Sequence, residues 1–355
     1  MRVDYLIVGQ GVAGSLLSYF LLQAGKSVLV VDDGHKHAAS ITSLGLINPV
    51  IGLRLNKAWR AETLLPFARQ TYRELEQKFN TKFYRDLNSL RLFIDDKQQK
   101  RWQKKKDAPE LQPYIGSDIE GEPCKGQIAN PHGGVEITGS ASIDTAVFVD
   151  AFRAYLIGQN ALRAGSFSCD DMQIEADCVH WQDVEAGKVI FCDGWQITLN
   201  RYFDWLPMSP DKGESIDIEI PGLGLDKILN RGFFMAPTGG DRYRLGATHN
   251  HSTFDNVPTD AGKAELLKKI EGIVPKPARV LAHQAGVRPS SPDRKPILGL
   301  HPQHSQLGVF NGLGSKGYSQ APYFARQFAD FLLSTGELDA EVRINRFQID
   351  SAQLH

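Results

Sequence analysis

The hydrophobic pattern of the first forty residues switches period twice. Residues 3–8 are apolar except for Asp4, a short β-branched run of the kind that forms a strand buried on both faces. The run breaks at Gly9-Gln10-Gly11-Val12-Ala13-Gly14, and from Ser15 to Gln23 the apolar positions Leu16, Leu17, Phe20 and Leu21 take helical spacing. Gly25 stops that helix, and residues 27–31 read as a second strand that ends on Asp32 and Asp33. Further along, amphipathic spacing predicts helices over 58–79 and 144–159, with strand-like pieces at 83–94 and 126–137 between them. A polar stretch with Pro109, Pro113 and Pro123 separates those pieces, and the charged run 95–110 reads as a solvated helix followed by a loop. The second half is β-rich: "KVIFCDG", "ESIDIEI", "RGFFMAP" and "RYRLGATH" read as strands, then come a helix over 260–273, a strand near "VLAHQAGV" and a final helix after Ser315.

Strand, glycine turn, helix, strand and acid make the unit that binds a dinucleotide. Gly9 permits the tight turn, Gly11 admits a pyrophosphate to the backbone, and Gly14 lets the helix pack closely on the strand. The helix start offers free N–H groups and a partial positive charge to the pyrophosphate. Asp32 stands where its carboxylate can accept both ribose hydroxyls of an adenosine. Gly25-Lys26-Ser27 imitates the end of a phosphate-binding loop, but that motif needs a glycine where Phe20 stands.

With 355 residues the chain is long for one core, so two subdomains are expected. A formal net charge of −1 carries no electrostatic footprint for nucleic acid. No apolar run is long enough to span a membrane and no secretory signal opens the chain, so a cytoplasmic location is expected. Cys124, Cys169, Cys178 and Cys192 show neither disulfide nor metal-ligand spacing and read as buried small residues.

Four stretches, "DYLIVGQGVAG…VLVVDD", "AASITSLGLINP", "VIFCDGWQ" and "AGVRPSSPDRKPILG" followed by "GLGSKGYSQAP", resemble the D-amino-acid oxidase, glycine oxidase and sarcosine oxidase family of flavoproteins. The pattern Arg-Pro-x-x-Pro-Asp-x-x-Pro-x-x-Gly, residues 288–299, is the most specific of them. The resemblance implies an α/β fold, with a Rossmann-like FAD-binding domain of the glutathione-reductase type over 1–80, 140–212 and 286–355. Inserted into it would be an antiparallel-sheet substrate domain over 81–139 and 213–285. It implies FAD held without a covalent bond. The adenosine half would rest on Gly9, Gly11, Val12, Ala13 and Gly14, with Asp32 and Asp33 beside it, while Gly312, Gly314, Ser315, Lys316 and Gly317 receive the flavin. Ser40, Gly45, Leu46 and Asn48 would wrap the pyrophosphate and the flavin's reactive edge, Met172 would meet adenine through its backbone, and Gly194 with Trp195 would flank the pyrophosphate.

The same resemblance makes Arg288 the ligand of a substrate carboxylate, a task that suits a planar fork of donors, or else a structural arginine that holds Asp293 or a loop. Lys316 either adds positive charge at the flavin's pyrimidine edge or faces solvent or a carboxylate. Where several relatives present a tyrosine hydroxyl, this chain has Phe233 and Phe234. His249, after Gly-Ala-Thr, is the substitute candidate for substrate contact, and with His251 it lacks further ligands for a metal. The expected reaction is oxidation of a small amine or amino acid by hydride transfer to flavin N5, with oxygen or a carrier as electron acceptor. Two alternatives stand beside it: oxidation of a carboxymethylaminomethyl group on tRNA uridine, suggested by "GLGSKG", and a flavin-binding protein without turnover.

Overall fold

The computed structural model describes residues 1–34 and 38–347. Its first eight-stranded sheet has a parallel centre whose spatial order is Leu162–Ala164, Val28–Asp32, Arg2–Val8, Val184–Phe191 and Leu307–Asn311. Period-two alternation sends Tyr5, Ile7, Val28 and Val30 to one face and Leu6, Val8, Leu29 and Val31 to the other, and both faces are buried. Helices Val12–Gln23, Ala61–Phe79, Thr145–Gly158 and Gly317–Leu332 close the first of these faces. Asp144 caps the third helix by accepting a hydrogen bond from Val147 N–H.

The second eight-stranded sheet runs Arg279–Arg288, Asp211–Glu219, Arg242–Gly246, Phe234–Gly239, Ile228–Asn230, Ser89–Leu92, Gly134–Ile137 and Ile115–Ile119. Helix Asp260–Ile270 packs on it. The sheet is not purely antiparallel, as the resemblance implied, because Ile228–Asn230 runs parallel to Ser89–Leu92. The expected domain borders at 212/213 and 285/286 fall inside the strands Asp211–Glu219 and Arg279–Arg288, which pair with each other. Residues 348–355 of the expected FAD-binding domain lie outside the described residues.

Three local expectations need correction. The strand expected over 126–137 begins only at Gly134, because Pro123 starts a short helix, Pro123–Gly126, and Gly126 and Gly133 take positive φ. The polar stretch around Pro113 contains a strand, Ile115–Ile119, whose alternation was masked by its exposed edge position. Of the four cysteines only Cys192 is buried; the others are half-buried and all four are free. The run 95–110 holds helix Asp96–Lys105, capped by Asp95. No helix among the described residues is long and apolar enough to cross a membrane.

Candidate active site

A single cavity of about 1250 Å³ runs between the two sheets, and its lining includes Gly9, Asp32, Ser40, Lys316, Arg288 and His249. At one end the turn after the first strand is shaped by close backbone packing. A Cβ on Gly14 would lie 2.0 Å from the Gly9 carbonyl oxygen, so only glycine lets the helix start this near the strand. Ser40 Oγ accepts from Val12 N–H at 3.0 Å, which brings the loop 38–48 over the helix start. Asp32 accepts from Gln10 N–H at 2.9 Å, Gly34 N–H at 2.8 Å and Arg153 Nη1 at 2.9 Å. Those bonds aim its carboxylate and leave lone-pair capacity for a further donor. Arg153, from the third helix, was not anticipated: it lies far along the chain and belongs to no turn motif.

The second glycine turn meets the first directly. Gly314–Lys316 forms a single 3₁₀ turn, and the helix expected after Ser315 starts at Gly317. A Cβ on Gly317 would stand 3.1 Å from Val12 Cγ1, so the two helix starts touch across the same cavity. Each helix start has first-turn N–H groups without an intrahelical partner and the positive end of its dipole at that space. Burial, and then the Arg294 charge, pull the Lys316 pKa below its ordinary value.

Most of the residues expected to meet the cofactor share this lining: Val12, Ala13, Asp33, Gly45, Leu46 and Asn48 along with Gly194, Trp195, Gly312, Gly314 and Ser315. Gly14 stands behind it, as a packing residue. Met172 is not part of this lining: its strand is paired with Val179–Trp181 and its side chain is buried in the core, while residues 165–170 form that wall. Asp193, beside Gly194, was also missed. Its pKa is raised to about 7, chiefly by burial, although Asn311 Nδ2 donates to it at 3.2 Å. Cys169 and Cys192 line the same wall, and burial drives the Cys169 thiol up to about 11 and Cys192 well above its usual value, so both stay protonated.

At the far end Arg288 closes the strand Arg279–Arg288, directly opposite Asp211 on the antiparallel neighbour. Its guanidinium lies over Gly213, where a Cβ would come within 2.0 Å of Nη2. Nη1 donates to Asp211 Oδ2 at 2.6 Å and Nη2 to the Thr248 carbonyl at 3.2 Å. Asp293 is not its partner, since that carboxylate is bound by Arg346. His249 Nδ1 lies 2.7 Å from the same Asp211 oxygen. Phe234 lines the cavity and Phe233 is buried. His251 reaches Asp211 only at 3.9 Å, and neither histidine belongs to a metal-ligand group among the described residues.

The residues present fit FAD: two helix starts and two glycine turns face a cavity long enough to reach from Asp32 to Arg288, and no cysteine sits at the second turn. Comparison with known proteins agrees. The glycine oxidase of Pseudomonas aeruginosa is 26% identical over 94% of this chain and 95% of its own. The tRNA 5-methylaminomethyl-2-thiouridine biosynthesis bifunctional protein of Legionella pneumophila is 24% identical over 84% of this chain but only 45% of its own. The glycine oxidase structure from Geobacillus kaustophilus superposes with a TM-score of 0.80 at 19% identity, covering 98% of this chain and 99% of that one. Residues 4–331 match the DAO family, described as FAD dependent oxidoreductase. Nearly the whole chain is thereby accounted for, and it belongs to the DAO family of FAD-dependent oxidoreductases.

Proposed function

We propose that this flavoenzyme oxidises the C–N bond of a small amine or amino acid that carries a carboxylate, of the glycine or sarcosine kind. The observation that carries the reading is that Arg288 and His249 line the same cavity as the glycine turn at Gly312–Gly317. Arg288 has five N–H donors and two are engaged by Asp211 and Thr248, so donors remain for a substrate carboxylate. Gly213 gives the guanidinium a fixed seat, and a fixed seat turns binding into orientation of the reacting C–H bond. Phe234 adds an apolar wall without a hydroxyl, which favours a short aliphatic substrate and leaves the carboxylate to Arg288.

Bound FAD supplies the hydride acceptor. The protein's part is to hold the carboxylate, keep the amine unprotonated and place the α-carbon. The name of the Pseudomonas relative, a glycine oxidase, supports this substrate class. Anaerobic flavin bleaching against amino acids, N-methylated amines and wobble-modified tRNA tests it. Rapid bleaching by a small amino acid or secondary amine is expected; bleaching by tRNA alone transfers the site to RNA chemistry, and no bleaching by any of them removes the amine reading.

A further inference from the structure

Asp211 opens the strand Asp211–Glu219 and is buried, yet it faces the cavity beside Arg288. Its Oδ2 accepts from Arg288 Nη1 at 2.6 Å and lies 2.7 Å from His249 Nδ1, while Oδ1 accepts from Asn250 N–H at 3.2 Å. Burial works to raise the Asp211 pKa, but the hydrogen bond to His249 and the Arg288 charge outweigh it and hold the group below its ordinary value. Arg288 Nη1 also stands 3.5 Å from Nδ1, but the Asp211 oxygen is much nearer at 2.7 Å. An ionised acceptor at that distance places the proton on Nδ1, which leaves the lone pair of a neutral imidazole on Nε2. The His249 ring lines the cavity with its side chain 65% exposed, and Nε2 has no hydrogen-bond partner among the described residues.

We propose that His249 is the base that takes the proton from the substrate's ammonium, and that Asp211 is the positioning residue that fixes its tautomer. The proposal rests on the amine-oxidising reading above. One N–H bond of the ammonium breaks and one Nε2–H bond forms, while the electron pair stays on the amine nitrogen. The resulting imidazolium lies against the Asp211 carboxylate and, being exposed, returns its proton to water. The other charged groups around it are committed elsewhere or share Asp211. Lys212 is bound to Asp255 and the Val257 carbonyl, and Glu214 to His283 and Thr259; His251 stands at 3.9 Å from Asp211, and Arg288 is paired with it. Lys316 and Arg294 line the same cavity.

The first test is imidazole nitrogen NMR on the FAD-loaded protein, with His249 assigned by its loss in His249→Gln. Neutral His249 should carry its proton on Nδ1, and Asp211→Asn, whose amide donates instead of accepting, should shift it toward Nε2. Asp211→Glu, which keeps the carboxylate, should retain the wild-type tautomer. An Nε2-protonated ring in the wild type overturns the proposal. The second test is the pH profile of anaerobic flavin reduction at saturating amine. His249→Gln should lose about 10²–10⁴-fold in rate near neutrality, the range of general acid–base catalysis. The deficit should close above the pKa of the substrate ammonium, where the amine arrives already neutral. A wild type reduced by an amine, with His249→Gln equally fast at neutral pH or equally slow at all pH values, overturns this proposal alone. A wild type that no amine reduces overturns the parent reading.

Discussion

At the Gly9 end of the cavity the groups that meet a ligand are backbone N–H groups, held in place because no side chain fits between turn and helix. At the Arg288 end they are side chains, drawn from two paired strands and the loop that follows a third, and held by one shared carboxylate. The backbone end is fixed by local sequence and takes a cofactor that is the same in every turnover. The side-chain end depends on pairing between strands more than seventy residues apart. In the proposed function, cofactor binding and substrate selection are thus separated along one cavity.

The largest expected effect strikes the backbone end. Gly14→Val forces a Cβ into the Gly9 carbonyl, an overlap that repacking cannot relieve, and should cost about 4 kcal/mol or more. Chemical denaturation and flavin content measure it together, and near-normal flavin in a stable Gly14→Val protein breaks the comparison at its root. Next is Arg288→Ala, which leaves Asp211 buried without its cation and a substrate carboxylate without its fork. Flavin reduction at low substrate should fall by about two to four orders of magnitude while FAD content holds, with Arg288→Lys between. If Arg288→Ala instead loses FAD while the remaining holoprotein keeps its rate, the two ends are not separate.

Asp32→Ala sharpens the contrast at a smaller scale. Loss of charge-assisted bonds at the ribose should weaken FAD by about 1–3 kcal/mol, read by titration of apoprotein, with no change in substrate selectivity. The last prediction concerns Asp193. Its folded pKa, about 7, lies above its ordinary value, so the folded chain holds this proton where the unfolded chain has released it. Stability from this group is therefore full in acid, declines as pH rises from about 4 to 7, and is level beyond. In the apoprotein, the pH dependence of Tm should flatten over that window in Asp193→Asn; an unchanged slope means that the proton belongs elsewhere.

The backbone end was legible in the sequence because its signal is local. The first glycine turn, its strand and helix and Asp32 lie within thirty residues, and each residue type has one physical reason to be there. The second turn and the Arg-Pro pattern were legible through resemblance. Arg153 and Asp193 were not: one lies in the helix expected over 144–159 and the other just before Gly194, but nothing in either pattern marks the side chain that reaches the site. Asp211 is the instructive miss. The alternation in "ESIDIEI" suggested a strand from residue 214, whereas pairing extends back to Asp211 and sets it directly opposite Arg288. A strand reading carried three residues further would have placed the acid beside the arginine. Met172, expected to meet adenine through its backbone, lies just past residues 165–170, which form that wall, and its strand is paired with Val179–Trp181.

The contact between Val12 and Gly317 has a consequence for how the protein is made. The helix that follows the first turn packs on the last long helix of the chain, so part of its apolar face stays uncovered while the intervening three hundred residues are still emerging from the ribosome. At ~5–20 residues per second that wait is on the order of 15–60 s, far longer than a helix or hairpin takes to form. Through that interval the uncovered apolar patch is open to non-native contacts. FAD cannot help earlier, because the second half of its cradle does not yet exist.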